Sequence, residues 1–388
     1  MMRRIYLDNA ATSWPKPESV YTAVDRYLRE NGAPAGRSGY AEAGEASRVV
    51  ETARRDLARL LGVHQPEHLI FTSNGTDALN LAIHGFLRDG DHVVTTVVEH
   101  NSTLRPLRAL EDQKMISVTR VPCDALGVVD PDEIRRAMTD KTRLVALSRA
   151  SNVTGAIQPI EAIRVVVHNH GAKLLVDEAQ SIGHLPPDLD GSGVDMVAAA
   201  GHKGLLGPLG TGILYLRAGM DAEVACQRQG GTGTRSEEDR QPELLPGKYE
   251  SGNLNVPGIA GLGAAAAHLF SKTITAIRDH ELALTSRMLA GFQSIQGVTI
   301  YGPPMAADRV GLVSIRIEGY DPQEVAAALD AVHRIQVRPG LHCAPLMHAA
   351  LGTLEAGGTV RFSFGQFNTE HDIDDAIAAI AEMVASGP

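Results

Sequence analysis

Lys203 lies in AAGHKGLLGPLGTG, among glycines and directly after the apolar run DMVA. A lysine there gains little from packing. A partly desolvated amine near other cations has a lowered pKa and can form a Schiff base with an aldehyde. The plainer reading is a solvated loop lysine. Upstream, LLVDEAQ sets Asp177 at the end of a buried strand, where an acid is costly without a charged partner. A pyridinium nitrogen is such a partner, and pyridoxal phosphate (PLP) uses an aspartate to keep its ring protonated as an electron sink. An aspartate capping the next helix is the ordinary alternative. Asp177 followed one strand later by Lys203 favours the cofactor.

Two further stretches fit that chemistry. In FTSNGTDALN a strand ends at Ser73, a turn carries Asn74 and Gly75, and a helix begins near Thr76. Free N–H groups at a helix start bind phosphate, and the threonine hydroxyl adds a donor. In VVEHNS, His100 stands just past a strand, where it can lie on an aromatic cofactor or move protons. Cys343, in RPGLHCAPL, is one of three cysteines in 388 residues. Alone it reads as core filler, as half of a metal or disulfide site, or as a nucleophile.

These residues need a scaffold of strands with loops at one edge. HLIFTS (68–73), DHVVTTVV (91–98), RLVALS (143–148), KLLVDEA (173–179) and DMVAAAG (195–201) read as buried strands. Between them lie helical patterns such as DALNLAIHGFLRD and PIEAIRVVVHNHG. Strand–helix alternation of this kind gives a mostly parallel, doubly wound α/β sheet, with its ligand beyond the strand ends. After Pro257 one long helical pattern, IAGLGAAAAHLFSKTITAIRDHELALTSRMLAGFQSI, is followed by strands and helices of a smaller α+β unit. The expected division is a large domain over 15–256 and a small one over 1–14 and 257–388. The Gly- and Pro-rich stretch 229–253 reads as a long loop.

Composition narrows the function classes. With 44% hydrophobic and 21% charged residues the chain is an ordinary globular mixture, and its net charge of −10 argues against nucleic acid or an anionic membrane. No run approaches the ~20 apolar residues of a membrane span, and the apolar stretch after the opening MMRR is too short for a signal peptide. Cys123, Cys226 and Cys343 are too few and too scattered for a disulfide framework or a zinc site, and the 15 histidines lack metal-ligand spacing. The expectation is a cytoplasmic protein without a metal. Cys123 and Cys226 read as small buried hydrophobes.

YLDNAATSWPKP, FTSNGTDALN, EHNSTLRPL, SNVTGAIQP, VDEAQ, GHKGLLGP, YESGN, GLHCAPL and VRFSFG occur in this order along nearly the whole chain. The ordered set resembles the cysteine desulfurases, within the class V, fold-type-I PLP enzymes. The resemblance implies a large domain built on a seven-stranded, mostly parallel sheet, a smaller α+β C-terminal domain, and a homodimer sharing its active sites. It implies that Lys203 carries PLP as a Schiff base and that His202 contacts the phosphate with Gly75 and Thr76. Asp177 would meet the pyridine nitrogen, Gln180 and Asn152 the ring hydroxyl, and His100 the ring face. Asn152 and Arg361 would bind the substrate, Arg361 gripping its carboxylate with a planar fork.

Cys343 then falls on the catalytic cysteine. The implied reaction converts L-cysteine to L-alanine and leaves a persulfide on Cys343, with Lys203 moving the α-proton. His342 and Arg338 stand near enough in sequence to bias the thiol. The chain departs from the pattern twice. Ala200 replaces a serine or threonine that helps hold the phosphate, and Asn253 replaces a threonine donated across the dimer. The first loss predicts looser phosphate anchoring. The short stretch from Cys343 to Arg361, 18 residues (361 − 343), resembles the group II desulfurases and implies a small sulfur-acceptor protein or a reductant. The alternatives are another class V PLP reaction (selenocysteine lyase, C–S lyase or aminotransferase) and a non-enzymatic partner subunit. Cys343 favours the desulfurase, because transamination needs no thiol.

Overall fold

Alternate residues of the apolar runs face opposite ways, and each face finds its own core. Phe71, Val94, Val145, Val176, Val197 and Ile213 point into one cluster, while Ile70, Val93, Ala146, Leu175, Ala198 and Leu214 point into another. A strand buried on both faces shows no polar alternation, which is why these segments read as continuous hydrophobic runs. The computed structural model describes residues 3–36, 38–233 and 237–387.

The seven strands lie in the order Leu69–Thr72, Gly212–Leu216, Met196–Ala200, Lys173–Asp177, Thr142–Ser148, Asp91–Thr96 and Ile116–Val121. Only Gly212–Leu216 runs antiparallel to its neighbours, so the other six present their carboxyl ends at one edge. Ile116–Val121, at the margin of the sheet, is buried only at its two ends and accessible between them. Helices Gly75–Phe86 and Asn101–Asp112 cover one face, and Ala41–Leu61, Ile160–His170 and Val256–Lys272 cover the other.

The second unit is an antiparallel sheet in the order Arg338–Gly340, Thr359–Ser363, Leu312–Ile317, Val298–Tyr301. Ile274–Gln293, Pro322–His333 and Glu370–Ser386 supply its helical cover. Ile5–Tyr6 pairs in parallel with Ile335–Gln336, and Leu7 is buried in the same core. The single long helix expected after Pro257 is two helices. Thr273 breaks it with a positive φ of 64°, and its side chain caps the second helix through Ala276 N–H. Val256–Lys272 packs its buried residues into the large core against Ala41–Leu61, whereas Ile274–Gln293 leaves that core after Ile274 and Ile277 and puts Leu284, Met288, Leu289 and Phe292 into the small one. The stretch 229–253 carries no helix or strand among its described residues. Among the described residues no helix is long and apolar enough to cross a membrane, and no group of three or more His, Cys, Asp or Glu could hold a metal ion.

Candidate active site

A cavity of about 210 Å³ opens at the carboxyl edge of the large sheet. Gly75, Thr76, His100, Asn152, Asp177, Gln180, His202 and Lys203 all line it, each from a loop following a different strand end or sharing one. Ser102, Ser148, Ala200 and Arg338 complete the wall that matters chemically. Loops from a parallel sheet converge there because every crossover returns the chain to the same edge.

Lys203 sits where burial, followed by the nearby positive charges of Arg361 and Arg338, pushes its amine down to about 8, against the pull of Asp177 and Cys343. Asp177 is buried, and its side chain accepts from Ala179 N–H at 2.8 Å. Burial raises its pKa, while the Ala179 bond and Lys203 oppose the rise. Beside it Glu99 is completely buried, accepting from the Thr96 hydroxyl at 2.6 Å and the Ser148 hydroxyl at 2.8 Å. Burial pushes Glu99 up to about 8. Glu99 is therefore largely protonated near neutral pH.

The helix Gly75–Phe86 starts from Asn74, whose side chain accepts from Asp77 N–H at 2.8 Å. The cap satisfies Asp77 and leaves the Gly75 and Thr76 amides free of intrahelical partners. His100 caps the helix Asn101–Asp112 in turn, its Nδ1 accepting from Ser102 N–H at 3.0 Å. Since an amide can only donate, Nδ1 is the acceptor and the neutral ring carries its proton on Nε2. Burial, helped by Lys203 and other cations, lowers His100 to about 4.

His202 is held through its carbonyl oxygen, which accepts from Ser13 N–H at 3.0 Å, the Ser13 and Thr12 hydroxyls at 3.1 Å, and Lys16 Nζ at 2.8 Å. Its Nδ1 is buried without a partner, and burial followed by Lys203 and Lys16 lowers the ring to about 4. A neutral imidazole with an orphaned nitrogen, free amides at a helix start and a buried carboxyl group facing the cavity fit the phosphate and the protonated ring of PLP. Gln180 Nε2 donates to Ala10 O at 3.0 Å.

Cys343 and Arg361 do not line this cavity, but Lys203 feels the charge of both. The connection is Arg338, which lines the cavity and donates from Nη2 to Cys343 Sγ at 3.5 Å. His342 and Cys343 both take left-handed backbone angles, with φ of 49° and 62°. Non-glycine residues reach that region at a cost, so the turn is held by its surroundings. Asn152 Nδ2 donates to His342 O at 2.5 Å, and Asn101 N–H donates to Cys343 O at 2.8 Å. His342 is buried, its Nε2 3.0 Å from the Thr359 hydroxyl. Its ring turns to Thr359, and it is Arg338 that reaches the thiol.

Arg361 is fully buried; Nη1 donates to Asn152 O at 2.9 Å, Nη2 to Asp8 Oδ1 at 3.0 Å, and Nε has no partner. Asn253 is exposed and lines a separate recess with Ser73, Thr211 and Arg228. Cys123 packs 4.0 Å from the Met347 sulfur, and Cys226 packs against the second core of the large sheet. Asp8, Glu99 and Ser102 were not singled out from sequence. Glu99 had a visible signal, a carboxylate closing the apolar run DHVVTTVV; Asp8 and Ser102 stand out only through their partners.

The family model for class-V aminotransferases matches residues 5–375. The chain is 37% identical over 387 residues to a probable cysteine desulfurase of Methanothermobacter thermautotrophicus, covering 99% of this chain and 95% of that one. It is 29% identical to a cysteine desulfurase of Salmonella agona, over 97% and 93% of the two chains. Among solved structures, the apo cysteine desulfurase of Thermococcus onnurineus superposes with a TM-score of 0.92 at 31% identity, covering 99% and 95%. A cysteine desulfurase of Escherichia coli in an S-sulfonic acid form gives 0.88 at 28% identity, with the same coverage of 99% and 95%.

Proposed function

The chain belongs to the class-V aminotransferase family, and within it we propose a PLP-dependent cysteine desulfurase that releases L-alanine from L-cysteine and holds the sulfur on Cys343. The observation that carries this reading is the Arg338 bridge between the Lys203 cavity and Cys343 Sγ. A transaminase has no use for a thiol held there.

When bound, PLP supplies the electron sink that makes the substrate Cα–H and Cβ–S bonds breakable. Lys203 would hold it covalently, Asp177 would face its ring nitrogen, Gln180 and Asn152 its ring hydroxyl, and His100 its face. Gly75, Thr76 and His202 would hold its phosphate. Arg361 is pinned by Asp8 and Asn152 O with Nε left over, so its fork is oriented before a substrate carboxylate arrives. Lys203 Nζ, when neutral, takes the proton from Cα and can return it.

Cys343 Sγ attacks the substrate sulfur. An S–S bond forms as the Cβ–S bond breaks, and the released electron pair goes to Cβ, which takes a proton. The balance is L-cysteine plus a thiol giving L-alanine plus a persulfide. Arg338 stabilises negative charge on the attacking sulfur. On the same reading the protein is a cytoplasmic homodimer in which Asn253 serves the phosphate of the other copy, and a small protein accepts the sulfur.

Mixing the protein with PLP should give Schiff-base absorbance, and L-cysteine with a thiol reductant should then yield alanine and sulfide. Cys343→Ser should keep the absorbance and lose sulfide release. Full turnover by Cys343→Ser would refute the persulfide and leave a direct C–S lyase.

A further inference from the structure

We infer that Ser102 supplies the phosphate-holding hydroxyl that Ala200 lacks, which compensates for that substitution from a different element. The inference rests on the PLP reading above. Ala200 lines the cavity and stands against the start of the helix Gly75–Phe86: a Cβ at Gly75 would lie 3.4 Å from Ala200 N. The Ala200 Cβ would itself lie 3.6 Å from that Cβ, so a side chain at 200 stands beside Gly75, and alanine brings no donor there.

Ser102 lines the same cavity from the first turn of Asn101–Asp112, and its Oγ lies 2.7 Å from the Thr76 hydroxyl. The tip of Ser102 is thus at the same helix start. Its Oγ is also 2.8 Å from His100 Nδ1, but that nitrogen already accepts from Ser102 N–H at 3.0 Å. An imidazole nitrogen has one lone pair to offer. The Ser102 hydroxyl proton can therefore turn to an anion without leaving His100 unsatisfied. Two helix starts, the Ser102 hydroxyl and the orphaned His202 Nδ1 belong to residues that line this one cavity, a setting that favours a dianionic phosphate.

The test compares affinities for PLP and for pyridoxal, which has the aldehyde and ring but no phosphate. Ser102→Ala should weaken PLP binding roughly 10- to 100-fold, the value of one hydrogen bond to a charged group, and leave pyridoxal binding unchanged. Adding Ala200→Ser to that variant should restore the PLP affinity. Equal PLP affinity in Ser102→Ala would overturn the inference. So would equal losses for PLP and pyridoxal, which would assign Ser102 to His100 or to the fold, a role that unfolding curves of the cofactor-free proteins would also reveal. A wild-type protein that binds neither compound would overturn the PLP reading itself.

Discussion

The Lys203 amine offers a prediction that can be worked through from its surroundings. Burial, then Arg361 and Arg338, bring it from 10.5 to about 8. At about pH 7.5 an ordinary lysine with a pKa near 10.5 has roughly one amine in a thousand neutral, whereas an amine at about 8 has roughly one in four, a gain of about 200-fold. The cofactor-free protein should therefore react with a simple aromatic aldehyde along a titration curve that levels off above about pH 8. Borohydride trapping and mass spectrometry, with Lys203→Ala as the blank, would follow it. The variants set the sign. Asp177→Asn removes a charge that favours the protonated amine, so its midpoint should move down in pH. Arg361→Gln removes a charge that disfavours it, so its midpoint should move up. A wild-type rate that keeps climbing through pH 10, or an Asp177→Asn midpoint displaced upward, would refute the reasoning.

Gly183 has φ +85°, and a Cβ there would lie 2.1 Å from Gly204 O, next to Lys203. Gly183→Ala should cost about 3 kcal/mol or more through backbone strain and displacement, and loosen PLP retention; wild-type melting and retention would contradict this. His184 Nδ1, half-buried, lies 2.8 Å from the buried Glu281 Oε1. Burial opposes the charged ring, but Glu281 carries its pKa above the ordinary value. Its stabilisation is thus fully present below the unfolded pKa of about 6.5 and is lost as pH rises through the raised folded value. In urea unfolding at a series of pH values, the stability gap between wild type and His184→Gln should shrink with rising pH. A gap independent of pH would contradict the pairing.

Much of the large domain was legible because its signals are local. A strand buried on both faces must be apolar at every position, so the segments around Phe71, Val145 and Val176 declared themselves without any knowledge of their neighbours. The site residues that follow those strands were legible for the same reason: each is a polar group stranded at the end of an apolar run. The helix after Pro257 was misread as continuous because Thr273 is an unremarkable residue until its backbone is seen at φ 64°. The break lets the second helix run from the large core at Ile274 and Ile277 into the small one at Leu284 and Met288.

The sequence by itself determined the chemical inventory and the edge of the sheet on which it gathers, since strand, crossover and strand fix where Lys203, Asp177, His100 and Thr76 must emerge. Only the tertiary structure decided which groups touch. Arg361 is oriented by Asp8, 353 residues away along the chain. Cys343 meets Arg338 rather than its neighbour His342, because two left-handed residues turn the sulfur. Ser102 reaches Thr76 because two helices start side by side. Periodicity reports which residues are buried, whereas hydrogen bonds depend on tenths of an ångström set by packing between distant elements.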